Sequence, residues 1–347
     1  MKKVLLILFL LILVAGSYFA WLAFGPGTSF PEKSKYLYIR SSAANKKAIL
    51  DSLQKNNFIK SPKVFQLMAD QLKYWKTIKP GRYEIKNGTS LYSIIKILRN
   101  GQQTPVNLVI TKIRLKEDLA RMVGNRFECD SSQMIAFLNN EDSLKQYGLN
   151  SQTAITAVLP NTYTYFWNTT PRKIFQKLYD KTKEFWTPER KQLATNHGLS
   201  TQQAYTLASI IEEETNSKSD KPNIASVYLN RIEKKMPLMA DPTIKYAMKN
   251  FGLKRIYSKY LFVESPYNTY RNPGLPPGPI CTPSEETIDA VLYSPKTDYI
   301  YFVAKSDLSG SHVFTTNYAD HLKYAKEYQK VLNKLDSANK ARQSKPK

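Results

Sequence analysis

The chain of 347 residues has 51 Lys and Arg against 28 Asp and Glu, a formal charge of +23. Apolar residues make up 42% of it, which suits two domains with buried cores and excludes a wholly disordered polymer. The two cysteines, Cys129 and Cys281, form neither a CxxC pair nor a disulfide framework, and spacing leaves open whether they pair or stay free.

After Met1, Lys2 and Lys3 the chain runs uncharged from Val4 to Phe24. About 20 apolar residues in a helix cross a ~30 Å hydrocarbon layer. Tyr18, Phe19 and Trp21 lie near the far end of the run, where aromatic rings favour the membrane interface. A cleaved signal peptide is the competing reading, but its apolar core is typically ~7–15 residues and ends at a small-x-small site. No cysteine stands just after the run to carry a lipid. The expectation is an uncleaved single-pass anchor over residues 1–25. By the positive-inside rule its N-terminus is cytoplasmic, and the rest of the chain lies on the outer, periplasmic side of the cytoplasmic membrane. There a basic body meets anionic headgroups and acidic wall polymer, so the membrane is an expected partner and nucleic acid is not.

Gly25-Pro26-Gly27 opens a linker over residues 26–35. Residues 36–111 read as a small α+β unit. Tyr36 to Arg40 has strand chemistry, and Asn45–Gln54 and Ser61–Lys73 have helical periodicity, with Ser61 placed to cap. A turn at Lys79-Pro80-Gly81 leads to a strand from Arg82 to Ile85. A helix from Leu91 to Leu98, capped by Thr89, ends at Asn100-Gly101, and a third strand covers Val106–Ile110. Strands flanking a helix pair resemble a LysM-like glycan-binding unit; a plain spacer has the same pattern. Residues 112–199 read as a mostly helical connecting region broken near Leu159-Pro160-Asn161-Thr162-Tyr163, residues 200–335 as the catalytic core, and residues 336–347 as a basic tail.

The chemistry concentrates in Thr201–Asn216, a helix with Ser200 or Thr201 as its cap and Asn216 at its end. On a wheel of ~100° per residue, Leu207, Ile210, Ile211 and Glu214 share one face. Glu212 falls toward the Ala208 flank and Glu213 toward water. A carboxyl that continues an apolar stripe is costly to bury ionised, so its pKa rises, and the helix C-terminus pushes the same way. A glutamic acid protonated near neutral pH can donate a proton to a glycosidic oxygen. Glu214 is therefore the candidate general acid.

Leu207-Ala-Ser-Ile-Ile-Glu-Glu-Glu-Thr215 resembles the L-A-S-I-x-E-x-E-T signature of the YceG-like endolytic murein transglycosylases. Similar blocks follow in the family's order: Ile224 to Arg231, Leu238-Met-Ala-Asp-Pro-Thr243, Ser265 to Tyr270, Gly274 to Ile280, Tyr299 to Ala304, and Ser311 through His321. The resemblance implies cleavage of the β-1,4 bond between N-acetylmuramic acid and N-acetylglucosamine within nascent peptidoglycan strands, leaving 1,6-anhydro ends. It implies Glu214 as the single catalytic acid and base. It also implies a role in ending glycan polymerisation, with peptidoglycan synthases (penicillin-binding proteins) as partners. Two positions depart from the pattern. Met239 stands where a polar residue is usual, and Asn161 replaces an acid, so no catalytic role is assigned to it.

Asp241 either places a polar group near the scissile bond or caps a helix starting at Pro242, the second being the common use of Asp-Pro. With it, Thr243, Tyr267, Asn268, Thr269 and Tyr270 form the candidate substrate-binding set, since amides and aromatic rings suit amino sugars. Asn230 and Arg231 read as packing or salt-bridge residues, and His312 and His321 as structural histidines with satisfied nitrogens. No HExxH, Cys/His cluster, phosphate loop or GxSxG elbow occurs, so no metal and no cofactor is expected. The overall expectation is an α+β protein: a transmembrane helix, a small LysM-like unit, and a mixed catalytic domain with a cleft. The competing functions are a muramidase-type hydrolase pairing Glu214 with Asp241, and a non-catalytic wall-binding scaffold.

Overall fold

The computed structural model describes residues 2–253 and 255–343. Met1 of the expected anchor and residues 344–347 of the expected tail lie outside the described residues. The chain is mixed α and β and divides into two compact units. The first comprises residues 1–108, 122–131 and 163–171, and the second residues 109–121, 132–162 and 172–347.

In the first unit, helix α1 (Lys2–Phe24) is by length and composition able to cross a membrane. Its apolar side chains from Val4 to Val14 are exposed, but its last turn is not free. Ala23 is buried, and the Phe24 ring lies 5.3 Å from that of Tyr92. The stretch read as a linker is tied down too. Gly27 N donates to Thr89 O and Gly27 O accepts from Lys60 N, Thr28 bridges Ile59, and Phe30 is buried.

Strand β1 (Ser34–Ile39) is followed by α2 (Lys46–Lys55), α3 (Pro62–Gln71), β2 (Gly81–Lys86), α4 (Leu91–Asn100) and β3 (Val106–Ile110). β1 and β2 pair antiparallel from Ser34 opposite Lys86 to Ile39 opposite Gly81. That register turns Leu37, Ile39, Tyr83 and Ile85 onto a core shared with Leu53, Phe65, Leu91 and Ile94. The cap of α4 is Ser90, whose hydroxyl accepts from Ser93 N. Thr89, expected there, instead donates its hydroxyl to Lys86 O in the preceding turn. Ser61 stands before α3 but makes no side-chain cap bond; Pro62 alone marks that start.

Next come α5 (Lys116–Gly124), α6 (Ser131–Asn139), α7 (Glu141–Lys145), β4 (Asn161–Tyr165), which pairs with β3, α8 (Pro171–Phe185) and α9 (Pro188–Asn196). The core of the second unit then forms around α10 (Thr201–Glu214), which packs against α9, α11 (Lys221–Glu233), α12 (Asp241–Ala247) and α13 (Glu285–Leu292). Every residue from Ala204 to Ile211 is buried. Leu207, Ile210 and Ile211 each contribute about 1.5–3 kcal/mol by leaving water. β5 (Tyr301–Ala304) and β6 (His312–Thr315) form an antiparallel pair. Helix α14 (Tyr318–Gln343) follows, so helix runs into the segment that composition marks as a tail. Both cysteines are buried free thiols, which answers the pairing question left open by spacing.

Candidate active site

Helix α10 is started by a capping box: Ser200 accepts from Gln203 N while the Gln203 side chain accepts from Ser200 N. It ends at Glu214, because Thr215 turns extended with φ −148°. The three terminal glutamates have three different surroundings. Glu212 meets Lys221, whose ammonium lies 3.0 Å away, and accepts from Ser284 and from the Thr287 hydroxyl. Burial pushes its carboxyl up, but these donors outweigh burial and hold it below the usual range. Glu213 does not face water, as the wheel had it. The segment before α5 lies over it, and Arg114 grips both its oxygens at 3.1 and 2.9 Å, with Lys112 at 3.2 Å.

Among the described residues, no Lys or Arg forms a salt bridge with Glu214. It is half-buried and lines a cavity of about 500 Å³. The Tyr228 hydroxyl of α11 donates to its Oε1 at 2.5 Å. Burial raises its pKa to about 7; the charge of Asp241 adds to the rise, while Tyr228, Lys245 and Arg231 pull it back. Tyr228 is itself buried and its own pKa is pushed well up, so it stays a neutral donor.

Asp241 and Tyr270 join Glu214 in the cavity. Asp241 does not cap α12. Ala240 holds the cap position and no side-chain cap bond forms, because the Asp241 carboxylate points away to accept from the Tyr270 hydroxyl at 2.6 Å. The other members of the expected binding set stand behind the cavity. Thr243 donates to Ala240 O at 2.7 Å and meets the Thr269 hydroxyl at 2.9 Å, and Thr269 accepts from Ala240 N at 3.0 Å. Asn268, fully buried, donates to Leu261 O and Val263 O and accepts from Tyr270 N. These bonds fix the loop that presents Tyr270 and Met239. Tyr267 packs against Tyr246 with ring centroids 4.6 Å apart and the planes tilted by 45°, and does not line the cavity. Met239 does, half-exposed with φ +53°, a left-handed backbone that costs a non-glycine residue about 1–3 kcal/mol.

Several cavity residues carried no sequence signal for this role. Arg231, read as a packing or salt-bridge residue, is buried and donates to Ile300 O at 2.8 Å and Leu238 O at 2.6 Å rather than to a carboxylate. Its guanidinium therefore leaves positive charge beside the cavity. Asn230 matches its packing reading, donating to Thr297 O and Tyr299 O. Tyr301, Phe302, Tyr318 and His321 complete this part of the wall. His312 is satisfied by Asp220, which accepts from its backbone N at 2.8 Å and lies 2.9 Å from Nδ1. His321 is not: its Nδ1 is buried with no hydrogen-bond partner among the described residues, a condition that costs about 1–3 kcal/mol. Arg231 and Tyr228 stand three apart on one helix, a spacing that puts both on one face and is a local signal by which they could have been found.

The chain is 32% identical over 303 residues to the endolytic murein transglycosylase of Bacillus subtilis, covering 83% of each chain. It is 25% identical to that of Streptococcus pneumoniae strain D39, matching over 95% of its own length and 65% of that longer relative. Among solved structures, a YceG-like protein from Listeria monocytogenes superposes with a TM-score of 0.55 at 25% identity, covering 84% of this chain and 99% of that one. The model of the YceG-like family matches residues 37–327. With that match spanning most of both units, the chain belongs to the YceG-like family.

Proposed function

We infer that this chain is an endolytic lytic transglycosylase of peptidoglycan, the activity named for its bacillar and streptococcal relatives. The observation that carries the mechanism is the Glu214 carboxyl, raised to about 7 by burial and hydrogen-bonded to Tyr228, in a cavity of about 500 Å³. Protonated, Glu214 donates to the glycosidic oxygen between N-acetylmuramic acid and the leaving N-acetylglucosamine 4-hydroxyl. As that C1–O bond breaks, C1 gains oxocarbenium character. The muramic C6 hydroxyl then attacks C1, its proton passes to the Glu214 carboxylate, and the acid is regenerated as the 1,6-anhydro ring closes. An intramolecular nucleophile replaces water and gains from proximity, so one carboxyl suffices where hydrolases generally use two. Tyr228 orients Glu214. Asp241, held by Tyr270, helps to raise the Glu214 pKa and places negative charge where C1 becomes positive.

Asp241 in the same cavity also favours a second reading, a muramidase that activates water. Mass spectrometry of digested glycan decides between them, with wild type and Glu214→Gln run together. Anhydro ends from wild type and none from the variant are expected. Reducing ends without the ring would sink the transglycosylase reading, and undiminished cleavage by the variant would remove Glu214. Absence of any cleavage by wild type would leave the wall-binding scaffold.

Helix α1 serves in this reading as an uncleaved anchor with the N-terminus cytoplasmic, keeping cleavage to strands near the membrane, where polymerising synthases work. The order β1, α2, α3, β2, with its strands paired, supports a LysM-like role in glycan binding for the first unit.

A further inference from the structure

Part of the cavity wall is built by β5 and the first turns of α14. Tyr301 comes from β5, and Tyr318 and His321 from α14. The His321 ring stacks on Tyr301 at 5.2 Å and 24°, and on Tyr318 at 6.1 Å and 29°. Tyr301 and Tyr318 lie 5.7 Å apart. All three line the cavity that holds Glu214.

Two features separate this cluster from ordinary packing. Tyr318 stays 58% exposed, so removal of its ring from water is not what holds it there. His321 leaves Nδ1 buried and unbonded among the described residues, which folding alone disfavours. Burial and the neighbouring Arg231 push the imidazole pKa down, so the ring is uncharged, with one donor and one acceptor on its edge. The Arg231 guanidinium already sits 5.5 Å from the centre of Tyr301 and repels a cationic occupant. Flat, uncharged faces with a polar edge match a pyranose, whose C–H face packs on aromatic rings while its hydroxyl and acetamido groups reach the perimeter.

We propose that Tyr301, Tyr318 and His321 form a saccharide subsite, which holds an N-acetylated sugar of the strand beside Glu214. This rests on reading the cavity as a glycan-cleaving site. The rings act on binding and on the placement of the strand, not on proton transfer.

The test uses the full chain in detergent micelles, with glycan strands freed of peptide cross-links as the probe. In the Glu214→Gln background the strand is bound but not cut, and titration calorimetry gives Kd. Adding Tyr318→Ala weakens binding about tenfold, and Tyr318→Phe, which keeps the ring face, restores it to within about twofold. In the cleaving enzyme Tyr318→Ala raises KM and spares kcat, because only uniform binding is lost. The thermal midpoint stays put, since the side chain is more than half exposed. Unchanged Kd in the Tyr318→Ala variant, with the parent binding normally, overturns the subsite and leaves the cleavage reading standing. If the Glu214→Gln parent binds no glycan and wild type cleaves none, the cleavage reading fails and the subsite falls with it.

Discussion

Glu214→Gln tests the acid in a way that needs no substrate. The carboxyl has a folded pKa of about 7 against about 4.5 when unfolded. The folded state therefore holds the proton more tightly, and ionisation works against folding. Stability is full below about pH 4.5, falls as pH rises, and is lowest once pH passes the folded value near 7. At ~1.36 kcal/mol per pKa unit the loss is about 3 kcal/mol, an upper figure because water reaches the cavity. Glutamine cannot ionise. Thermal or urea unfolding of the two full-length chains from pH 4 to 8, in the same detergent, isolates this difference because every other titrating group is shared. The variant should gain on wild type by up to ~3 kcal/mol between pH 4.5 and 7.5, about 5 °C in midpoint. Parallel stability curves would refute the raised pKa, and with it the physical case for a general acid at this position.

The two neighbours of Glu214 should move its titration in opposite directions. Tyr228→Phe removes a donor to the carboxylate and shifts the alkaline limb of kcat/KM upward, by on the order of one unit. Asp241→Asn removes a neighbouring negative charge and shifts that limb downward; movement in the same direction for both would contradict the electrostatics described. Lys221→Met leaves the Glu212 carboxylate half-buried without its cation and should cost about 3–5 kcal/mol near neutral pH. Glu212 has a lowered folded pKa, so the stability it contributes is present above its unfolded value and fades as pH falls through the folded one. The cost of Lys221→Met should therefore shrink in acid, and a pH-independent cost by urea unfolding would count against the pairing. Arg114→Met breaks the bidentate grip on Glu213 and should lower the thermal midpoint by a few degrees with kcat unchanged; lost kcat would place Glu213 nearer the chemistry.

The elements of the first unit were legible because each has a local cause: alternation in β1 and β2, a Pro start for α3, and Gly101 in the left-handed conformation after α4. Glu214 was legible for the same reason, as the next step of an apolar stripe on one helix. The rest of the cavity was not. Tyr228, Asp241, Tyr270, Tyr301 and His321 come from separate elements, and nothing within a window of ten residues says that they converge. Local pattern also misled where a distant partner won. Glu213 looked solvated until Arg114 covered it, and Asp241 looked like a cap until Tyr270 claimed its carboxylate. Asn268 and Thr269 had the right functional groups for an amino sugar, but the tight loop needs those groups for its own backbone.

The first unit closes only when residues 122–131 and 163–171 have joined residues 1–108. The chain therefore passes between its two units five times, and no single cut releases either one whole. During synthesis α1 precedes these later segments, so the apolar run is made long before its own unit can be complete. All residues through 171 must be available before that unit can close. The half-made chain meanwhile carries the unpaired edge of β3, awaiting β4. Completion of the first unit therefore lags well behind synthesis of its N-terminal part, and a truncated chain that stops before residue 163 should be degraded rather than persist as a folded fragment.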